Sequence, residues 1–181
     1  PLTTGVHNLS AVNTVVNNIQ ISNTGSLAVG DMRNEGTGDI VLQNIGRTTT
    51  GSSTVTSAGG NVSITAHSPL TIGAGGVSAY RNITLVASPG GVSDDLTING
   101  PLTASTGNIN LTAGSLMVFG PEGSMSAPQG KSMLKDGGLI SSGNKMAGNS
   151  TVISISKVIT NIIMADDDRA SEDEDLDQNE D

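Results

Sequence analysis

The sequence contains no cysteine and no tryptophan, and its aromatic residues are one tyrosine and one phenylalanine. Without cysteine, neither a disulfide framework nor a thiolate metal or redox site can form. With so few aromatic residues, a globular core of large side chains is hard to assemble, and so is a platform on which sugar rings stack. The core must therefore be built from aliphatic residues and alanine, in a chain that also contains 24 glycines.

Charge is scarce outside one end of the chain, although the formal net charge is −9. Residues 166–181 hold ten acidic residues and one basic residue, whereas residues 1–165 hold seven of each sign. A neutral body argues against a nucleic-acid partner or an anionic membrane surface. Residues 166–181 have too much charge and too little apolar surface to fold, so we expect a disordered acidic tail. This tail is either a solvating extension or, in our preferred interpretation, a linker to a further region.

The N-terminus shows no basic segment followed by an apolar one, and the first residue is Pro1, so we expect a processed or excised piece. The most apolar stretch runs from Val152 to Ala165 and is interrupted by Lys157 and Asn161. It is too short for a membrane-spanning helix and is predicted to be a strand.

One short motif recurs along the chain: Asn or Asp, a β-branched residue, any residue, then Ile or Leu. Its β-branched positions are separated by 21, 22, 21 and 26 residues, and weaker echoes occur near Met133 and Ile153. Self-similarity at a period near 22 indicates stacked coils. The β-branched positions of the five strong copies are Ile19, Ile40, Val62, Ile83 and Ile109, and four of these copies begin with Asn18, Asn61, Asn82 and Asn108.

Within each motif apolar and variable residues alternate, as in a half-buried strand, and we find no helical period in residues 1–165. A leucine-rich repeat is disfavoured because its L-x-x-L-x-L framework and its helix are missing. We therefore predict an all-β parallel β-helix: a lead-in or partial coil at 1–17, repeats at 18–165 that weaken after about 115, and the tail at 166–181. Second strands are predicted at Leu27–Val29, Leu70–Ile72, Leu96–Ile98 and Leu116–Val118.

Three copies carry a longer signature, at Gly60–Ala66, Asn82–Ala87 and Gly107–Gly114. They resemble the G-N-[IV]-x-[LI]-x-A coils of filamentous haemagglutinin-like exoproteins, over about residues 18–115. The resemblance implies a right-handed parallel β-helix on a large bacterial adhesin of the two-partner secretion type. It also implies passage through an outer-membrane transporter, a secreted or cell-surface location, and contact with a host or neighbouring cell. The N-P-N-L type signature of the family's secretion domain is absent from this chain.

No catalytic, cofactor or metal site is predicted. Asp31 and Asp95 each lie 12 residues beyond a motif position and are expected to share a face, but three coils would separate them by about 14 Å. A glycosidase carboxylate pair requires roughly 5 to 9.5 Å. Asp94 and Asp95 are better explained as a solvated turn than as a weak cation site, and His7 and His67 have no evident partner. We also expect inward-facing Asn18, Asn61, Asn82 and Asn108 to form a hydrogen-bonded ladder along a corner.

The favoured function is a structural, non-enzymatic segment of an adhesin. One alternative is a β-helical polysaccharide lyase or hydrolase, which would need carboxylates stacked on adjacent coils. Another is an ice-binding solenoid, which would need a regular threonine array. The motif's outward positions do not supply that array, since they are Gln20, Val41, Ser63, Thr84 and Asn110.

Overall fold

The computed structural model describes residues 1–88, 94–136, 140–141, 146–147 and 150–155. The regular secondary structure within these ranges consists of β-strands alone. In coils 1 to 3 the strands are β1 (Leu2–Thr4) and β2 (Asn8–Asn13); β3 (Ile19–Thr24) and β4 (Leu27–Asn34); and β5 (Ile40–Ile45), β6 (Thr48–Thr50) and β7 (Val55–Ser57). In coils 4 and 5 they are β8 (Val62–Ala66), β9 (Leu70–Ile72) and β10 (Val77–Ala79); and β11 (Ile83–Ala87), β12 (Leu96–Ile98) and β13 (Pro101–Ala104). The remaining strands are β14 (Ile109–Ala113), β15 (Met117–Phe119) and β16 (Ser124–Ser126) in coil 6; β17 (Ser132–Asp136), β18 (Ile140–Ser141) and β19 (Met146–Ala147) in coil 7; and β20 (Ser150–Ile155).

The strands stack in parallel to form a β-solenoid of about six turns, which confirms the predicted fold class. Face A is one sheet in the order β1-β3-β5-β8-β11-β14-β17-β20. The first half of β4 pairs with β6 and its second half with β7, so the other sheet divides there into two faces. Face B continues from β6 through β9, β12, β15 and β18, and face C from β7 through β10, β13, β16 and β19.

The β-branched positions of the repeat lie in one row of face A. Ile19 pairs with Ile40, Ile40 with Val62, Val62 with Ile83, and Ile83 with Ile109. All five side chains are buried. A second row, two residues further along each strand, is aliphatic at every position and is called the central row here. Its members are Leu2, Ile21, Leu42, Ile64, Leu85, Leu111, Leu134 and Val152.

The core is narrow and runs along the axis of the solenoid, because every coil contributes alternate residues of each strand to it. Face A supplies Ile, Leu and Val, and faces B and C supply pairs such as Leu70 with Ile72 and Val77 with Ala79. No large aromatic side chain is needed to fill such a core. The low aromatic content is thus consistent with the architecture.

Face C was not predicted, because its strands are short and combine one aliphatic residue with small ones, as in Val77-Ser78-Ala79. The prediction for face B was wrong by one residue in coil 6. There Met117 and Phe119 pair with Leu96 and Ile98 and are buried, rather than Leu116 and Val118. Residues 116–119 are all apolar, so the alternation of apolar and polar residues does not show which two of the four side chains face inward.

The last coil is shorter than the period predicted. Ser132 pairs with Ile109 and Ser150 with Ser132, so Ser150 occupies the motif position that the spacing had given to Ile153. Residues 1–17 contribute two paired strands, β1 and β2. Residues 166–181, and the end of the repeat region after residue 155, lie outside the described residues. The right-handed sense of the helix stays a prediction from the family resemblance.

The link between faces A and B varies in length while the register does not. Three residues separate β8 from β9, but eight separate β11 from β12. Leu96 still pairs with Leu70. The 26-residue coil therefore takes its extra residues into this one corner.

Candidate functional surface

The asparagines that begin the repeat motif form a ladder along the corner between faces C and A. In each rung a side-chain Oδ1 accepts the backbone N–H of the residue one coil further on. The rungs are Asn18 to Asp39 (2.8 Å), Asp39 to Asn61 (2.8 Å), Asn61 to Asn82 (3.1 Å), Asn82 to Asn108 (2.8 Å) and Asn108 to Lys131 (2.8 Å). These side chains are partly or fully exposed, so the expectation that they face inward was wrong.

A second polar ladder, missed in the sequence, lies inside the solenoid at the corner between faces A and B. Asn23 and Asn44 are 1% and 0% exposed, and Asn23 Nδ2 donates to Asn44 Oδ1 at 2.9 Å. Asn44 Nδ2 lies 2.9–3.0 Å from four oxygens, three of them backbone carbonyls of the turn. The two side chains satisfy polar groups that the turn would otherwise bury without a partner.

The interior side of the corner between faces C and A is polar only at its N-terminal end, among the described residues. Met32 and Arg33 lead into Asn34, which is fully buried and donates through Nδ2 to Asn17 O at 2.8 Å. Ser57 takes the place of Asn34 one coil further on, and its Oγ donates to Gly38 O at 2.9 Å. These buried residues stabilise turns.

The strands of coils 3 to 6 present no charged side chain on their outward faces. None of the strand residues from β5 to β16 is charged. On face B the outward residues of three consecutive coils are all threonine, and on face C they are hydroxyl residues in four. These residues are Thr49, Thr71 and Thr97 on face B, and Thr56, Ser78, Thr103 and Ser126 on face C.

Charged side chains within the described residues lie mainly at corners and at the two end regions. Arg33 is held between two carboxylates, with Nε 2.9 Å from Asp31 Oδ1 and Nη1 3.0 Å from Glu35 Oε1. All three side chains are about half exposed, so the pairs contribute little to stability. They do, however, keep the surface near coil 2 close to neutral.

Asp31 and Asp95 do not share a column, contrary to expectation. Asp31 lies in the middle of β4, between the parts that pair with β6 and β7. Asp95 directly precedes β12, just as Arg47 precedes β6 and Ser26 precedes β4. Because these strands are paired in register, Asp95 lies in one column with Arg47 and Ser26, at the corner before face B. The expectation failed because it counted residues from the motif, and the extra residues of the long coil lie before Asp95.

The remaining titratable candidates are each bound to the backbone of a corner. Asp94 is 3% exposed, and its carbonyl accepts the N–H groups of Gly114 and Ser115, both at 3.1 Å. Asp95 Oδ1 accepts Leu116 N–H at 3.2 Å, and His7 Nδ1 lies 3.2 Å from Ser26 O. His67 is exposed. The described residues contain no group of three or more His, Asp or Glu side chains arranged to hold a metal ion.

Comparison of the chain with protein-family models, curated proteins and solved structures gave no match. The likeness to filamentous haemagglutinin-like coils therefore rests on the repeat motif alone. No helix able to cross a membrane occurs in the described part of the chain.

Proposed function

We propose that this chain is a structural, non-enzymatic β-helical segment of a large secreted or surface-exposed bacterial adhesin. The observation that carries the proposal is a pair of uncharged, hydroxyl-bearing outward rows, in register over coils 3 to 5 on face B and over coils 3 to 6 on face C. Such a surface suits contact with a host or neighbouring cell. The motif's resemblance to haemagglutinin-like coils supports the same assignment.

Face B is the proposed contact face. Thr49, Thr71 and Thr97 present one hydroxyl and one methyl group per coil at about 4.8 Å intervals, because parallel strands have that spacing. The corresponding row of face A is mixed, with Val41, Ser63, Thr84 and Asn110. A row of identical groups provides weak contacts that add along the rod and so raise avidity.

The proposed route to the cell surface is export through an outer-membrane transporter. A chain without cysteine cannot form disulfides before or during passage. Each coil contacts only its neighbours, so coils can fold one after another as they emerge. These features support export as an extended chain, followed by folding outside the cell.

The test is a cell-adhesion assay with beads that carry the purified chain. A triple variant with Thr49, Thr71 and Thr97 each changed to Glu places three like charges on face B. We expect adhesion to fall by about tenfold or more, because desolvating a charge at an interface without a partner is costly. The matched control changes Ser63, Thr84 and Asn110 to Glu on face A. It should keep both its circular dichroism spectrum and its adhesion.

Equal loss in both triple variants would overturn the assignment to face B, and absence of adhesion by the unaltered chain would overturn adhesion itself. The enzymatic alternative is tested on the same material with a panel of polysaccharides. Depolymerisation that is lost on Asp95→Ala would replace the adhesin proposal by a β-helical lyase or hydrolase.

A further inference from the structure

One corner of coil 5 contains an asparagine that is followed directly by glycine. Asn99-Gly100 is the only such pair in the sequence. It forms the corner between faces B and C, since β12 ends at Ile98 and β13 begins at Pro101. Asn99 is partly exposed and Gly100 is buried. The corner therefore places a side-chain amide next to a backbone nitrogen that carries no bulky residue.

The reaction open to such a pair is deamidation through a cyclic imide. The Gly100 nitrogen attacks Cγ of Asn99 and loses its proton, the bond from Cγ to Nδ2 breaks, and ammonia leaves. Water then opens the succinimide ring at either carbonyl, which gives aspartate or isoaspartate at position 99. Water is the sole co-reactant, and nothing is oxidised or reduced.

The backbone nitrogen of Gly100 is not engaged in a hydrogen bond. On either side of it, Asn99 N–H donates to Ile72 O and Gly120 N–H donates to Ile98 O, both at 2.8 Å. Within the described ranges no acceptor takes the Gly100 N–H. A buried N–H without an acceptor costs free energy, and closure of the imide removes it. Glycine also permits the backbone angles that ring closure needs.

The amide of Asn99 is not held by a hydrogen bond to any described residue. Its Oδ1 lies over Gly120 of the next coil, so closely that a Cβ added to Gly120 would be 2.3 Å away. Because Gly120 has no side chain, the amide keeps the room to rotate toward the Gly100 nitrogen. The partial exposure of Asn99 also gives water access to the ring.

The asparagines of the ladder between faces C and A differ from Asn99 in both respects. Each Oδ1 accepts a backbone N–H of the next coil. The residue after each asparagine is β-branched, which crowds any approach to Cγ. Its own N–H is also bonded at 2.9 Å, in the pairs Ile19 to Asp39 O, Val62 to Asn82 O, Ile83 to Asn108 O and Ile109 to Lys131 O. The repeat motif therefore protects its asparagines from this reaction.

We propose that Asn99-Gly100 is a site of spontaneous deamidation in the folded chain. The product has a carboxylate between Thr97 of face B and Thr103 of face C, where β12 and β13 contain no charged residue. Isoaspartate also lengthens the main chain, in a corner so tight that a Cβ added to Gly100 would lie 2.4 Å from Gly73 O. The modification therefore changes both the charge and the packing of this corner.

The test incubates the purified, folded chain at neutral pH and follows its peptides by mass spectrometry, with isoaspartyl methyltransferase labelling. A parallel sample in urea gives the rate for the unfolded chain. We expect Asn99 to convert in the folded chain within about tenfold of its rate in urea, a barrier increase below about 1.4 kcal/mol. Peptides with Asn61 and Asn82 should stay unconverted in the folded sample. Conversion of Asn99 in urea alone would overturn the proposal.

A variant assigns the reaction to its residue. Asn99→Gln removes the favourable ring size, and it should keep its circular dichroism spectrum because the Asn99 amide makes no hydrogen bond to the described residues. Anion-exchange chromatography should show an acidic species that grows with time in the unaltered chain and in the matched control Asn18→Gln, but not in Asn99→Gln. An acidic species that forms equally in all three would overturn the assignment to Asn99. No cells are used, so the outcome is independent of adhesion.

Discussion

The interior corner between faces A and B differs between the two halves of the rod. In coils 2 and 3 it holds Asn23 and Asn44, whereas in coils 4 to 6 the same register position holds alanine. The corner between faces C and A repeats this change, from Asn34 and Ser57 to alanine at 79 and 104. One coil geometry is therefore maintained by two kinds of turn.

The difference shows how each turn satisfies its backbone. The polar turns have the sequence Asn-x-Gly, with Gly25 and Gly46 at φ values of 109° and 134°. At these angles the chain turns sharply, and the buried asparagine bonds to the carbonyls of the turn. In coils 4 to 6 the residues after the alanine instead bond directly to the previous coil, as His67 N–H does to Asn44 O at 2.9 Å. The alanine turn needs no interior polar group.

The largest effect is expected from Asn44→Ala. It removes the acceptor of the Asn23 side chain and the side-chain donor to the part-buried carbonyls of Gly25 and Gly46. We expect a loss of about 3 kcal/mol or more in the free energy of unfolding, because each unsatisfied buried group costs about 1–3 kcal/mol. Urea unfolding with amide hydrogen exchange in coils 2 and 3 measures it. Asn18→Ala, on the exposed ladder, is the control and should cost about 1 kcal/mol.

The reverse change, Ala87→Asn, should destabilise the other half by about 2 kcal/mol. Ala87 is fully buried, and an amide there would be crowded and would lack the Asn-x-Gly turn that gives it partners. Urea unfolding compares it with Val86→Asn, whose side chain points outward on the same strand and should change stability by less than about 0.5 kcal/mol. If Ala87→Asn were neutral, the two kinds of turn would be interchangeable.

A smaller effect, about 1–2 kcal/mol, is expected from Gly46→Ala. Its φ of 134° disfavours any side chain, and an added Cβ would lie 2.5 Å from Gly25 O. The comparison is Gly5→Ala, where the nearest atom to the added Cβ is Thr24 O at 4.0 Å. Thermal unfolding should show a lower midpoint for the first variant alone. Equal midpoints would mean that the turn of coil 3 relaxes without strain.

The period and the central strands could be predicted from the sequence because burial imposes alternation on every copy of the motif. The interior asparagines could not. Asn18 lies outside a corner and Asn23 inside one, only five residues apart, and composition alone does not distinguish them. The recurrence of Asn-x-Gly at 23–25 and 44–46 is the signal that would have found the polar turns.

The proposed contact surface was predicted only in part. The motif indicated the outward residues of face A, but face C was not recognised and the threonines of face B were not seen as a row. Thr49, Thr71 and Thr97 are 22 and 26 residues apart, so the long coil hides their alignment until the strands are stacked. For the same reason Asp95 was assigned to the wrong column. An insertion lengthens the distance from the motif to every later residue of the coil. Equivalent positions in different coils can therefore be identified only from the strand pairing.

That insertion shows where this molecule can vary. Because the strands on either side of the long corner keep their register, added length there alters neither the rise per coil nor the packing of the core. Insertions at this corner are therefore expected to leave the stacked strands on either side of it unchanged.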